Sequence, residues 1–361
     1  MRNKSNGPVY ISVVSGKGGT GKSLFTAVLG NCLAKENLKV LLVDMDLHVR
    51  GLTILLSSYM DKNDNKIAIS DYSLQKKESE FAVYRFQECE FIPAVKEISE
   101  PLAFPLDGNY MDEYSADYYS GFFEKLKDFT SNKMYDIVLL DCRSGLDSSI
   151  IQCVKNSDYT LSVSEDDDIC LNANLNLVNY FRHNAHINSV YTIINKGRRI
   201  NTPEDIEKKV ENIFDFSCLG VIPFDEQIME DYGKDRFWLS VYNTLYFYGL
   251  VMVWDKFQEK TKLQCGIDKK KYNIKDSKNT AKTRIRFKLY NVIKLYGYLL
   301  LFLCSISPLI MNLIEIELTD SFLYVFLFLA ILGMSLIIVS STDFRRFLFS
   351  KYDDPEKFNK K

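Results

Sequence analysis

Short uninterrupted apolar runs recur along most of the chain: Val9–Val14, Val40–Val43, Glu90–Val95, Ile137–Leu140, Thr160–Val163, Val190–Ile194 and Leu219–Ile222. Each is bounded by charged, polar or glycine-containing stretches. A strand with one wet face alternates apolar and polar residues, whereas a strand buried on both faces reads as a continuous run. Between most of the runs the pattern changes to a helical period. The clearest case starts near Lys22 and sets Leu24, Val28, Leu29 and Leu33 on one face. Strands alternating with helices predict an α/β fold, a mostly parallel sheet covered by helices on both faces. The aromatic-rich stretch Trp238–Phe257 reads as the last helix packed on that domain. Lys62 to Glu113 gives no clear period.

The pattern changes after the last of these elements. A basic polar stretch from Lys269 to Lys288 leads into two runs without any charged residue, Leu295–Ile314 and Ser321–Thr342. A helix crossing a bilayer needs about 20 apolar residues, and each run supplies that length. Basic residues lie outside both ends of the pair, with Arg345, Arg346 and Lys351 after the second run. The intervening Glu315–Asp320 holds no Lys or Arg. The positive-inside bias therefore predicts a two-span hairpin with both termini cytoplasmic, most simply in a bacterial inner membrane. The expected organisation is a nucleotide-binding domain over 1–262, a basic linker over 263–294, the hairpin over 295–342 and a cytoplasmic tail over 343–361.

Composition narrows the chemistry. The net charge is −2, so no global field favours nucleic acid, although binding to it is not excluded. Among the eight cysteines none are spaced Cys-x-x-Cys, which argues against zinc or iron–sulfur sites. His48, His183 and His186 suggest no metal cluster. Met1–Gly7 lacks an apolar core, so no secretory leader is expected and the first domain is expected in the cytosol.

The strongest chemical signal follows the first strand. Gly16-Lys17-Gly18-Gly19-Thr20-Gly21-Lys22-Ser23 satisfies G-x-x-x-x-G-K-[ST] between a predicted strand and a predicted helix. Glycines let consecutive backbone N–H groups turn toward phosphate oxygens, and the helix N-terminus adds positive partial charge. Lys22 is expected at the β- and γ-phosphates, and the Ser23 hydroxyl on Mg²⁺.

Lys17 makes the motif Lys-Gly-Gly-Thr-Gly-Lys-Ser, which resembles the deviant Walker A of the ParA/MinD family of ATPases. Three further stretches match that family in order. Val40 to Asp46 resembles its second strand ending in Asp-x-Asp. Tyr135 to Asp141 resembles its Walker B strand, with Arg143-Ser144-Gly145 where the family has a proline-containing turn. Leu219 to Pro223 resembles the strand and turn flanking the base. The resemblance implies that Lys17 reaches across an ATP-dependent homodimer and that Asp46 orients the attacking water. It also implies that Asp44 and Asp141 lie near Mg²⁺ through bound waters. Arg143 is either added charge near the γ-phosphate or a loop arginine.

Asn195-Lys196-Gly197-Arg198 begins like a guanine-reading motif but lacks the carboxylate that would accept from guanine's donors. Asn195 alone can pair with adenine, so ATP is expected, with Asn195 and Pro223 at the base. The alternative for Asn195 is a turn residue at a strand end.

The leading expectation is a membrane-anchored ATPase switch that signals to a protein partner. Two other readings stand beside it: a bacterial tyrosine kinase of the polysaccharide type and an ATP-binding membrane scaffold without turnover. The kinase type carries its membrane hairpin before the ATPase domain and ends in a tyrosine cluster, which this chain does not. Cell division, polar localisation, surface-polymer export and phage defence are all compatible with the sequence.

Overall fold

The computed structural model describes residues 7–60, 66–71, 80–98, 113–187, 189–197, 203–214, 218–232, 234 and 237–272, together with 296–299, 301–302, 325 and 328–335. In chain order the elements are β1 (Val9–Ser15), α1 (Lys22–Lys35), β2 (Val40–Asp44), α2 (Gly51–Leu55), β3 (Tyr84–Phe86) and β4 (Cys89–Ile92). There follow α3 (Glu113–Asn132), β5 (Ile137–Ser144), α4 (Ser148–Lys155), β6 (Tyr159–Glu165), α5 (Asp168–His183) and β7 (Val190–Gly197). The last are α6 (Pro203–Phe214), β8 (Cys218–Pro223), α7 (Glu226–Asp231), α8 (Phe237–Ser240) and α9 (Leu245–Thr261).

All eight strands join one sheet in the order β3-β4-β2-β5-β1-β6-β7-β8. Every neighbouring pair is parallel except β3 with β4. The expected mostly parallel α/β sheet is therefore what forms. The continuous apolar runs have the expected cause, because alternate side chains enter two separate cores. Ile11, Val13, Leu42, Ile137 and Leu139 pack toward α1 and α9 on one face. Tyr10, Val14, Leu41, Val43, Val138 and Leu140 pack on the other, with Phe122, Ile150, Phe181 and Val210 from α3 to α6.

The chain winds from β1 through β2 to β4, returns through β5, and continues on the other side of β1 with β6, β7 and β8. A doubly wound sheet opens a crevice at the carboxyl ends of its strands where the winding reverses. β1 and β5 end at that reversal, and the glycine-rich loop leaves β1 there.

Three findings bear on the expectations. Trp238–Phe257 is not one helix: α8 ends at Ser240, a 3₁₀ turn spans Val241–Asn243, and α9 begins at Leu245. The break is built by Thr244, whose hydroxyl accepts from Phe247 N at 3.1 Å, and by Asp225, whose Oδ2 accepts from Leu245 N at 2.7 Å. Secondly, the first compact unit runs to Ile274 and so takes in the start of the expected linker. Cys265 and Ile267 are buried, Trp254 Nε1 donates to Cys265 O at 2.9 Å, and Tyr272 stacks on Tyr242. Thirdly, among the described residues no helix is long and apolar enough to cross a membrane. Most of 295–342, where the hairpin is expected, lies outside the described residues, as does the tail over 343–361.

Candidate functional site

The glycine-rich loop spans the gap from the end of β1 to the start of α1. Gly19 and Gly21 adopt φ of 82° and 89°, a region that a Cβ disfavours, and Gly21 leaves room for Asn195 besides. Gly16 lies against the backbone of Ala173 and Asn174 in α5, and Gly18 lies near Ser144 at the end of β5. Ser15 Oγ donates to Lys17 O at 2.7 Å and accepts from Lys22 Nζ at 2.9 Å, so the loop closes on the lysine that ends it. Lys22 is buried at the first residue of α1, beside Ser23.

β2 and β5 are parallel neighbours, and their register sets Asp44 directly beside Asp141. Both carboxyls are buried. Burial raises Asp141 above the usual carboxylate range, and the Lys22 ammonium and the Ser23 hydroxyl, which donates to it, oppose that rise. Burial raises Asp44 too, and the Asp141 charge raises it further. Asp141 Oδ1 is buried without a hydrogen-bond partner, an acceptor beside a lysine and a serine hydroxyl. An acceptor of that kind fits a hard divalent cation, for which oxygen donors are the natural ligands.

Asp44 is different. Its Oδ2 accepts from both Thr53 N (2.8 Å) and Thr53 Oγ1 (2.7 Å), and its Oδ1 accepts from Asp46 N (3.0 Å). Thr53 Oγ1 in turn accepts from Ala94 N at 2.8 Å, which ties α2 to the segment after β4. Asp44 thus braces the loop after β2 while lying directly beside Asp141. Asp46 Oδ1 accepts from His48 N and Val49 N at 3.1 and 2.9 Å, which turns that loop and leaves Oδ2 for another partner. Arg50, buried in the left-handed region, fastens the same loop to Ile98 O at 2.9 Å.

Lys17 is exposed at the crown of the loop. The Cys170 thiol and N–H donate to Asp167 and hold it below the usual carboxylate range, with a smaller contribution from the nearby Lys17 charge. Arg143 pairs with Asp147 at 3.2 Å, and Asp147 caps α4 through Ile150 N, so the loop-arginine reading fits. Pro223 ends β8 beside Gly197 and packs on Gly249 of α9.

Asn195, expected at the base, is held by the protein through both ends of its amide. Its Nδ2 donates to Thr20 O at 2.7 Å and its Oδ1 accepts from Lys196 N at 2.9 Å, which leaves one N–H and one lone pair of the amide for a further partner. Two residues that matter here were not singled out by sequence reasoning, Thr53 and Lys196. Thr53 carries no sequence signal. Lys196 stands in a recognisable Asn-Lys pair that was read only for its bearing on the base.

Comparison with known proteins agrees with this arrangement. The CobQ/CobB/MinD/ParA nucleotide binding domain family matches residues 11–236, more than half of the chain. The septum site-determining protein MinD of Synechocystis is 25% identical over 238 residues, covering 62% of this chain and 79% of the relative. The MinC:MinD cell division protein complex of Aquifex aeolicus superposes with a TM-score of 0.51 at 16% identity, covering 71% of this chain and 97% of the other. A plasmid partition protein of Borrelia burgdorferi bound to AMPPNP gives 0.51 at 20% identity, with 71% and 100% covered. At these identities the two solved structures speak for the fold.

Proposed function

The chain belongs to the CobQ/CobB/MinD/ParA family of nucleotide-binding domains, and on that premise we propose that it is a membrane-anchored ATP-hydrolysing switch. ATP closes it as a homodimer, hydrolysis reopens it, and a protein partner reads the difference. One observation carries the nucleotide reading: the unpartnered buried oxygen of Asp141 sits with Ser23 and Lys22 where the phosphate loop opens at the sheet's winding reversal. The relatives support an involvement in division or partitioning, since one is a septum site-determining protein and another a plasmid partition protein.

In this mechanism the loop amides hold the phosphates and Lys22 neutralises charge that builds on them. Phosphoryl transfer needs little covalent chemistry from a protein, so positioning and charge dominate. Mg²⁺, held by Ser23 and Asp141, would screen the phosphate oxygens. Asp46 Oδ2 orients the attacking water, and Asp44 keeps Asp46 in place through the Asp46 N–H. Lys17, exposed at the crown, reaches the phosphates of a second copy. Pro223 borders the base.

The membrane reading rests on the two uncharged runs within 295–342 and the basic residues outside them. Both termini are then cytoplasmic, most simply at a bacterial inner membrane. The test of the nucleotide reading is Lys22→Ala. It removes the charge that meets the phosphates, and ATP affinity of the purified full-length protein drops by about a hundredfold. Unchanged affinity in Lys22→Ala refutes the phosphate-site assignment.

A further inference from the structure

β6 and β7 end side by side, with Glu165 in register with Asn195. The next residue, Lys196, adopts φ of 55°, a left-handed conformation that a side chain disfavours. From there its ammonium lies 2.7 Å from Glu165 Oε1 and donates to Gly19 O at 2.5 Å. Asn195 donates to the next carbonyl, Thr20 O, at 2.7 Å. Two consecutive carbonyls at the crown of the phosphate loop are thus captured by two consecutive residues from the end of β7.

A trans peptide points its C=O and its N–H in opposite directions. Holding Gly19 O and Thr20 O on the β7 side therefore turns the N–H groups of Thr20 and Gly21 the other way, toward the inside of the loop. An anion-binding nest needs that arrangement, with amides inward and carbonyls out. A Cβ at Gly21 would overlap the Asn195 amide, so the approach also requires that glycine. The Lys196 charge further offsets the carbonyl's partial negative charge next to an anion site.

We propose that Lys196, steadied by Glu165 and working with Asn195, is a positioning residue that aims the phosphate-loop amides. It acts on the phosphates through the loop and does not read the base. This rests on the ATP reading above, deepens it, and gives the Asn-Lys pair a purpose in a chain whose fourth motif position is Arg198.

The test measures binding of ATP·Mg²⁺ and of pyrophosphate·Mg²⁺ to the full-length chain, the second by displacement of a fluorescent ATP analogue. Pyrophosphate has phosphates and no base. Lys196→Met weakens both ligands by the same factor, about tenfold, while Lys196→Arg recovers most of the loss. The melting temperature without ligand stays within about 2 °C of wild type, because the Lys196–Glu165 pair is partly exposed and screened by solvent. Glu165→Gln weakens both ligands about threefold, and it decides the matter if Lys196→Met does not fold. Loss of ATP binding with pyrophosphate unaffected assigns Lys196 to the base and overturns the proposal. Wild-type affinities in Lys196→Met and Glu165→Gln overturn it as well. Failure of the wild-type chain to bind either ligand instead overturns the ATP reading itself.

Discussion

Replacing Thr53 by valine exchanges one hydroxyl for a methyl and leaves the volume of a fully buried side chain almost unchanged. That hydroxyl donates to Asp44 Oδ2 at 2.7 Å and accepts from Ala94 N at 2.8 Å. The hydroxyl's hydrogen bond contributes about 0.5–1.5 kcal/mol to a protonated Asp44 and about 1.5–3 kcal/mol once Asp44 ionises as pH rises, and a buried N–H left unpaired costs about 1–3 kcal/mol. With some relaxation the expected loss is about 3 kcal/mol, or roughly 6–12 °C in melting temperature for a domain of this size. Thr53→Ser keeps the hydroxyl and should lose less than about 1 kcal/mol. Urea unfolding of the purified protein without nucleotide separates the two, through a shifted midpoint at constant slope. The loss in Thr53→Val should also grow with pH, because the missing donor had favoured the ionised form of Asp44. Equal stability of the valine and serine variants, or a pH-independent difference between them, refutes the view that Thr53 holds Asp44 in place.

The other predictions concern the site and the membrane. Lys17→Ala should bind ATP but stay monomeric and inactive, whereas Asp46→Ala should bind, close and accumulate as a dimer in light scattering; two monomeric variants would count against a nucleotide-sandwich dimer. Asp44 and Asp141 both have folded pKa values raised above the ordinary 3.8, so the folded state holds their protons more tightly than the unfolded state does. Stability from this source is full below the ordinary value and is gone once pH has risen through the raised ones, so the melting temperature should fall between about pH 4 and pH 8. Mg²⁺ should recover more of that loss at the higher pH, and a flat profile in calorimetry would contradict the buried carboxyl pair. For topology, Glu317→Cys in a background without native thiols should react with an impermeant reagent in intact cells, and Lys351→Cys only after lysis. A chain extracted by carbonate wash would end the hairpin reading.

What the sequence determined by itself is the set of features that depend on neighbouring residues. Gly16 to Ser23 is legible because a phosphate loop is built from eight consecutive residues, whose glycines supply the positive φ that the turn requires. The parallel strands are legible because burial on both faces removes polar residues from the run itself. Asp46 and Asp141 were legible through the resemblance to the ParA/MinD family, whose motifs place them just after and at the end of such runs.

Tertiary structure decided whatever depends on partners distant along the chain. Asp44 looks from the sequence like a metal-site carboxylate, and only the fold shows that Thr53 returns through α2 to hold one of its oxygens. Asn195 looks like a base reader, and a hydrogen bond spanning 175 positions makes it a brace for Thr20. The stretch after α9 reads as linker because its composition is polar. Only packing reveals that Cys265, Ile267 and Tyr272 return to the core beside α1. The common reason is the hydrogen-bond requirement of buried groups. A buried carboxylate or amide must be satisfied, and which donor satisfies it is settled by the crossing of β2, β5, β6 and β7. No local residue pattern carries that information.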